Sequence, residues 1–311
     1  MMVSQMVNFT NTAFKTVLNV QNEWLHKLKL AISNTHTKPF KRSASKSGQV
    51  YLIGAGSGDP ELLTLKAHRI LQHADVVLVD WLVNSEIQQY FPAHVEVIFV
   101  GKRQGSHSMS QAQICQLLVA KALENKTVVR LKGGDPSIFG RLSEETHALA
   151  EHDIPFAIVP GVTAASACAA YTGIPLTDRR CSQAVQFVTA HCKDDAQQAN
   201  WSQLVASKQT LVFYMGLTRV DSIAKQLIKH KMSPDMPIAV VDKGSLTGQQ
   251  LCCRTLASID AERDLKDFVG PALVIVGDVV NYRQRVDLTL LQANYFVEET
   301  QSPRCLKIKG A

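Results

Sequence analysis

The sequence has no Cys-x-x-Cys pair, no apolar run of the roughly 18 residues that a membrane span needs, no short-period repeat and, beyond residue 48, no excess of either charge. Each absence excludes something. The seven cysteines, with Cys252 and Cys253 adjacent, match neither a zinc site nor an even disulfide framework, so a reducing compartment and no metal centre are expected. Without an apolar run there is no membrane-spanning helix to place. Residues 1–48 hold six Lys and one Arg against the single acid Glu23, a net of +6 that equals the +6 of the whole chain. The remainder is neutral, which removes the electrostatic basis for a nucleic-acid partner.

What is present is globular. The chain has 311 residues, 46% hydrophobic and 19% charged, enough for two domains with substantial cores. In the leader, Phe14, Val17, Leu18, Leu25, Leu28 and Ile32 fall near one face of a helix, with Lys15, Lys27 and Lys29 among the polar positions. Asn19, Gln21, Asn22 and Glu23 interrupt it, so it lacks a secretory apolar core. An acid-poor basic leader suits either an organellar transit peptide or a loosely attached bacterial extension. The expectation carried forward is the second, with a cytoplasmic location. Residues 38–46 read as a solvated linker.

From residue 50 onward, short β-branched runs alternate with helical windows. Strands are expected at 50–53, 76–79, 95–100, 127–131 and 156–159, with helices such as 61–72 and 111–125 between them. A second series follows residue 177, with strands at 185–189, 210–214, 238–241 and 273–276 and a helix at 220–230. The fold class is therefore α/β, in two units that meet near Ile174-Pro-Leu-Thr177, and a cleft between such units is a usual place for a small ligand. The expected division is 1–48 extension, 49–175 and 176–282 domains, and 283–311 tail.

Two glycine-rich turns carry the chemistry, Gly54-Ala-Gly-Ser-Gly-Asp-Pro60 and Gly133-Gly-Asp-Pro136. Each ends a strand, where open α/β sheets bind ligands. In the first, the third glycine comes one position too early for the dinucleotide fingerprint, and Asp59 would face a pyrophosphate with like charge. Neither turn is followed by Gly-Lys-Ser/Thr, so no phosphate-cradling loop is present. A ligand with a cationic sulfonium and ribose hydroxyls, such as S-adenosylmethionine, satisfies these constraints.

Longer segments add a resemblance. Val50-Tyr-Leu-Ile-Gly-Ala-Gly-Ser-Gly-Asp-Pro-Glu-Leu-Leu-Thr-Leu-Lys-Ala67, Val100-Gly-Lys-Arg103, Arg130-Leu-Lys-Gly-Gly-Asp-Pro-Ser-Ile-Phe-Gly-Arg141 and Val159-Pro-Gly-Val-Thr-Ala-Ala-Ser166 resemble the uroporphyrinogen-III C-methyltransferases of the tetrapyrrole methyltransferase family. Gly173-Ile-Pro-Leu-Thr177, Phe187-Val-Thr189, Leu211-Val-Phe-Tyr-Met-Gly216 and Ala272-Leu-Val-Ile-Val-Gly277 extend the likeness, in order, to about residue 282. The resemblance implies two α/β domains of the tetrapyrrole methyltransferase type, a homodimer, no metal, and S-adenosylmethionine in the interdomain cleft. It implies two methyl transfers to uroporphyrinogen III, through precorrin-1 to precorrin-2, for sirohaem or cobalamin synthesis. Asp80 matches the family's proton acceptor and Lys102 its proton donor. Ser57, Gly133, Gly134, Asp135, Ile138, Thr163, Ala164, Met215 and Gly244 match cofactor contacts. Arg103, Arg130, Lys132, Arg141, Arg179 and Arg180 are candidates for the substrate's carboxylates, which guanidinium groups bind in bidentate fashion.

The departures are Ser57 for a common Pro, Trp81 for Arg, Leu142-Ser143 for Gly-Gly, Asp178 for His, and Ala190 for Gly. They bear on the substrate more than on the type of chemistry, and leave a methyltransferase of a later precorrin, or a non-catalytic tetrapyrrole binder, as alternatives. Residues 1–48 are too few for the dehydrogenase and chelatase module that precedes this domain in fused sirohaem synthases. Because they lie outside the resemblance, a protein beginning at Ser47 is expected to keep its methyl-transfer turnover. Comparing truncated and full-length kcat tests this, and loss of most turnover in a folded truncation refutes it.

Overall fold

A computed structural model describes residues 48–101, 109–190 and 199–292. Two five-stranded sheets organise them. The first holds β1 (Gln49–Gly54), β2 (Val76–Val79), β3 (Glu96–Phe99), β4 (Thr127–Lys132) and β5 (Phe156–Val159). Its order is β3-β2-β4-β1-β5 and every pairing is parallel. A parallel sheet needs helices on both faces. The helices α1 (Leu65–Leu71), α2 (Gln111–Leu123) and α3 (Leu142–Glu151) supply them. On one face Val50, Leu52, Leu78 and Val128 pack with Ile114 and Leu118 of α2 and Leu149 of α3. On the other Ile53, Val77, Val129 and Leu131 pack with Ala67 and Leu71 of α1.

The helix α4 (Ala164–Thr172) follows β5 and ends at Gly173, whose φ of 72° is the left-handed stop that glycine supplies. The second sheet holds β6 (Val185–Thr189), β7 (Thr210–Tyr214), β8 (Pro237–Asp242), β9 (Gln250–Thr255) and β10 (Ala272–Val276). Its order is β6-β7-β10-β8-β9, parallel only between β6 and β7. Two further helices, α5 (Trp201–Ala206) and α6 (Val220–Lys229), belong to this half, and α6 buries Val220, Ile223, Ala224 and Leu227.

Two sequence expectations change. The window 61–72 is a 3-10 turn, Pro60–Leu62, followed by the separate α1. The break comes at Thr64, which stays extended so that its hydroxyl can accept from the Ala67 amide (3.2 Å) and cap the helix. The strand β9 was not foreseen, because Gln250-Leu-Cys-Cys-Arg-Thr255 has no β-branched run and forms a half-exposed edge. The leader helix expected within 1–48, up to Ser47, the basic residues Lys102 and Arg103, and the tail beyond 292 lie outside the described residues.

The ends of β1, β4 and β5 converge on bare backbone. A Cβ on Gly161 would lie 2.2 Å from the Gly134 carbonyl oxygen and 2.8 Å from the Gly54 Cα. Backbone cannot rotate aside as a side chain can. Gly161→Ala is therefore expected to destabilise the protein by about 3 kcal/mol, lowering Tm by roughly 6–12 °C, as thermal unfolding would show.

Candidate active site

A cavity of about 610 Å³ opens where the carboxyl ends of the first sheet face the loops of the second, a volume in the range of small-molecule sites. Ser57, Asp80, Gly133, Gly134, Asp135, Ile138, Thr163, Ala164, Met215 and Gly244 all line it. So every described residue in the expected catalytic and cofactor sets reaches one space, although they come from positions 57 to 244.

The loop after β4 forms one wall. Gly56 and Gly134 exchange backbone hydrogen bonds of 3.2 and 2.7 Å, so the two glycine-rich turns are tied together. Gly134 has φ 66°, and a Cβ there would find nothing nearer than 3.8 Å, beside the Ala164 amide and the Thr163 Cα. Gly133 differs, since its Cβ would strike Leu82 at 2.7 Å. Gly133 is thus demanded by packing, whereas Gly134 satisfies a backbone conformation and leaves room for a ligand. The Asp135 carboxylate shapes this loop: Oδ1 accepts from the Ser137 amide (2.8 Å) and Oδ2 from the Gly161 amide (3.0 Å).

Behind that wall lies an ion-pair chain. Asp80 continues β2, its side chain one-third exposed, and accepts from the Trp81 amide at 2.7 Å and from Arg130 Nη2 at 2.8 Å. Arg130 is 1% exposed, and its Nε donates to Glu145 Oε1 at 3.1 Å. Lys132 Nζ reaches the same oxygen at 2.8 Å, and Gln111 Nε2 reaches it at 3.1 Å. Burial, reinforced by the neighbouring Arg130 charge, pulls the Lys132 ammonium below its ordinary range.

The second sheet closes the other side. At the end of β7, Tyr214 Oη shares a 2.7 Å hydrogen bond with Thr163 Oγ1 and accepts from the Ala165 amide (3.2 Å). Tyr214, rather than Thr163, therefore caps α4 through its side chain, and burial pushes its phenol up so that it stays a neutral hydroxyl. Met215 is 53% exposed with φ 57°, so it is no core filler. Gly244 packs against Cys168, whose Sγ would lie 2.3 Å from a Cβ there.

The cations do not behave as one group of substrate clamps. Arg130 and Lys132 reach the cavity lining but are buried and committed to acids, their β4 positions facing α2 and α3. Arg141 also lines the cavity, half-exposed and paired with Glu144 at 2.7 Å. Arg179 and Arg180 line a separate depression. There Arg180 is held bidentate by Asp178 and lies 4.0 Å over the Tyr282 ring, and the pair keeps the Asp178 carboxyl down at about 2. Lys102 and Arg103 lie outside the described residues. Glu145 and Tyr214 were missed. The spacing of Leu142, Glu145 and Leu149 along one helical stripe was the available signal that Glu145 faces inward.

Among the described residues, no group of three or more His, Cys, Asp or Glu side chains is arranged to hold a metal, and no helix is long and apolar enough to cross a membrane. A two-sheet α/β protein with a glycine-walled cavity and an acid at its floor defines a small-molecule enzyme class. The family model for tetrapyrrole (corrin/porphyrin) methylases matches residues 49–260, and the chain belongs to that family, which is one of S-adenosylmethionine-dependent methyltransferases.

A sirohaem synthase of Saccharophagus degradans is 47% identical over 245 residues, covering 79% of this chain and 54% of the relative. The chain thus spans about half the length of the curated relatives it matches. Among solved structures, the uroporphyrin-III C-methyltransferase of Thermus thermophilus is 37% identical in its native form. That match has a TM-score of 0.64 and covers 76% of this chain and all of that one. The same enzyme with S-adenosylhomocysteine is 38% identical at TM-score 0.64, covering 76% and 94%. A cobalt precorrin-4 methyltransferase is 27% identical at TM-score 0.67, covering 75% and 95%.

The room beside Gly134 yields a direct expectation. Gly134→Ala should cost about 1 kcal/mol in stability, for a non-glycine residue at positive φ, while weakening S-adenosylhomocysteine binding more than tenfold. Calorimetry on the folded variant measures both, and unchanged affinity would reduce the loop to a turn.

Proposed function

We propose that the protein transfers methyl groups from S-adenosylmethionine to two ring carbons of uroporphyrinogen III, giving precorrin-2. The observation that carries this is the convergence on one cavity of Asp80 with the glycine wall and the Met215 and Gly244 loops of the second sheet. Its 37–38% identity to the Thermus enzyme, over three-quarters of this chain, supports the substrate.

The lining suits the methyl donor. Each described cation lining the cavity, namely Arg130, Lys132 and Arg141, already has a carboxylate partner, so a sulfonium meets no unmatched positive charge. Ser57, Gly133, Gly134, Asp135, Ile138, Thr163, Ala164, Met215 and Gly244 would hold it, with Asp135 acting through the shape of its loop. When bound, the cofactor supplies an electrophilic methyl group.

The protein's part is to orient an electron-rich pyrrole carbon in line with that group and to exclude water, and positioning of this kind supplies much of the acceleration. Asp80 has its carboxylate fixed at both oxygens, which leaves lone pairs directed from a held geometry to accept a proton from the macrocycle. Lys102 is the proposed donor, and Arg141, in an exposed and easily exchanged pair, the proposed carboxylate contact. A homodimer, a domain boundary near residue 175 and a cytoplasmic location belong to the same reading.

Incubation with S-adenosylmethionine and uroporphyrinogen III, followed by mass spectrometry, should show two added methyl groups. No methylation of this substrate by folded protein refutes the reading. Asp80→Asn and Lys102→Met should each lower single-turnover rates by about 10² to 10⁴ while leaving S-adenosylhomocysteine affinity nearly unchanged.

A further inference from the structure

The chain of charges under the cavity contains one member for which the proposed chemistry has no use. Glu145 is completely buried on α3, in the first sheet's half of the molecule. Its Oε1 accepts from three donors, Arg130 Nε (3.1 Å), Lys132 Nζ (2.8 Å) and Gln111 Nε2 (3.1 Å). Its Oε2 is also buried and has no hydrogen-bond partner among the described residues. A buried carboxylate oxygen without a donor is costly, and buried ion pairs are often no more stabilising than apolar residues of the same shape. Stability alone is a weak reason for this arrangement.

The geometry supplies another. In the parallel register Leu78 lies beside Arg130, so Asp80 and Lys132 fall on the same face of the sheet, opposite α2 and α3. The Arg130 guanidinium is held from two sides, by Glu145 at Nε and by Asp80 at Nη2, with Nη1 near the Leu78 and Leu131 carbonyls at 3.4 and 3.3 Å. Because the guanidinium is a planar fork, the Nε bond to Glu145, together with the Nη1 contacts, restricts the direction in which Nη2 grips Asp80. Glu145 also takes up the Lys132 ammonium, which would otherwise compete for Asp80 or for a substrate carboxylate.

We propose that Glu145 is a positioning residue of the methyl-transfer reaction: acting through Arg130, it fixes the orientation of the Asp80 carboxylate at the cavity floor. The inference rests on the proton-accepting role of Asp80 in the reading above. Glu145 itself is buried and does not line the cavity.

Removing Glu145 alone leaves the buried Lys132 ammonium without a carboxylate, so the informative variant is Glu145→Met combined with Lys132→Met, which takes away the acceptor at Arg130 Nε and keeps the cluster's net charge at zero. Single-turnover methyl transfer is measured for the wild type, this pair, Asp80→Asn, and all three substitutions together. Thermal unfolding and S-adenosylhomocysteine calorimetry verify fold and cofactor site.

The charge-balanced pair should bind S-adenosylhomocysteine within about threefold of wild type yet transfer methyl groups about 10- to 100-fold more slowly. In the Asp80→Asn background the same pair should cost almost nothing further, because the group it orients is gone. Glu145→Asp, which retains the carboxylate, should recover part of the rate. Wild-type turnover by the pair, an additive loss on top of Asp80→Asn, or full turnover by Asp80→Asn itself would each overturn the proposal. If uroporphyrinogen III is not methylated but another tetrapyrrole is, the substrate reading fails on its own, and the same cycle run with the accepted tetrapyrrole still decides the role of Glu145.

Discussion

The close approach of three backbones at the carboxyl ends of β1, β4 and β5 is the constraint from which the site follows. Gly54, Gly134 and Gly161 meet with no room for a Cβ on Gly54 or Gly161, since each would lie within 2.5 Å of the Gly134 oxygen. That contact lets the turns after β1 and β4 bond to each other as a short antiparallel bridge beyond a parallel sheet. The Asp135 carboxylate then ties the β4 turn to the Gly161 amide. Three strand ends become one rigid rim, and α4 starts from that rim at Ala164 with its first turn facing the cavity. Lining from 57, 133–135 and 163–164 is a consequence of this packing, because each stretch leaves a strand that the glycines have drawn together.

A second constraint is electrostatic. The same-face positions Arg130 and Lys132 put two cations where a parallel sheet usually buries aliphatic side chains. They are tolerable only because Glu145 and Asp80 meet them. The result is a cavity floor close to neutral, with one carboxylate, that of Asp80, reaching partial exposure while the cations stay submerged. A floor with free arginines would attract the carboxylates of a tetrapyrrole but repel a sulfonium. Submerging the cations separates these demands, and leaves Arg141 as the half-exposed cation of the described lining.

Legibility in the sequence followed the physics of each signal. Strands with β-branched runs, such as residues 76–79 and 210–214, were visible because burial on both faces permits little else. Edge strand β9 was not, since exposure relaxes that requirement. The glycine turns were readable as ligand loops, but the two roles of Gly133 and Gly134 needed the positions of Leu82 and Ala164, which no local pattern contains. Basic residues could not be told apart for a related reason. Arg130, Arg141 and Arg180 look alike in a motif, whereas their partners, Glu145, Glu144 and Asp178, decide whether a guanidinium is buried, exchangeable or stacked away from the site. Thr163 and Tyr214, 51 residues apart, share a bond that spacing cannot reveal.

Backbone strain separates along the same line. Among the described residues, Asn125, Asp153, Lys208 and Lys231 have positive φ just past the ends of α2, α3, α5 and α6, where a left-handed residue commonly terminates a helix. Phe139, Arg141, Met215, Lys243 and Ser245 have no such excuse, and all lie in or beside the loops that line the cavity. Left-handed conformations of non-glycine residues persist only when neighbours over-determine them. At three of them neighbours do so: the Phe139 ring packs at a tilt against Tyr214 with centroids 5.0 Å apart, Arg141 pairs with Glu144, and Ser245 bonds the Ser57 carbonyl across from the first sheet. Phe139, Arg141 and Ser245 are thus each held by a contact that also shapes the cavity, so for them conformational cost and cavity geometry are maintained by the same bonds, from both sheets at once.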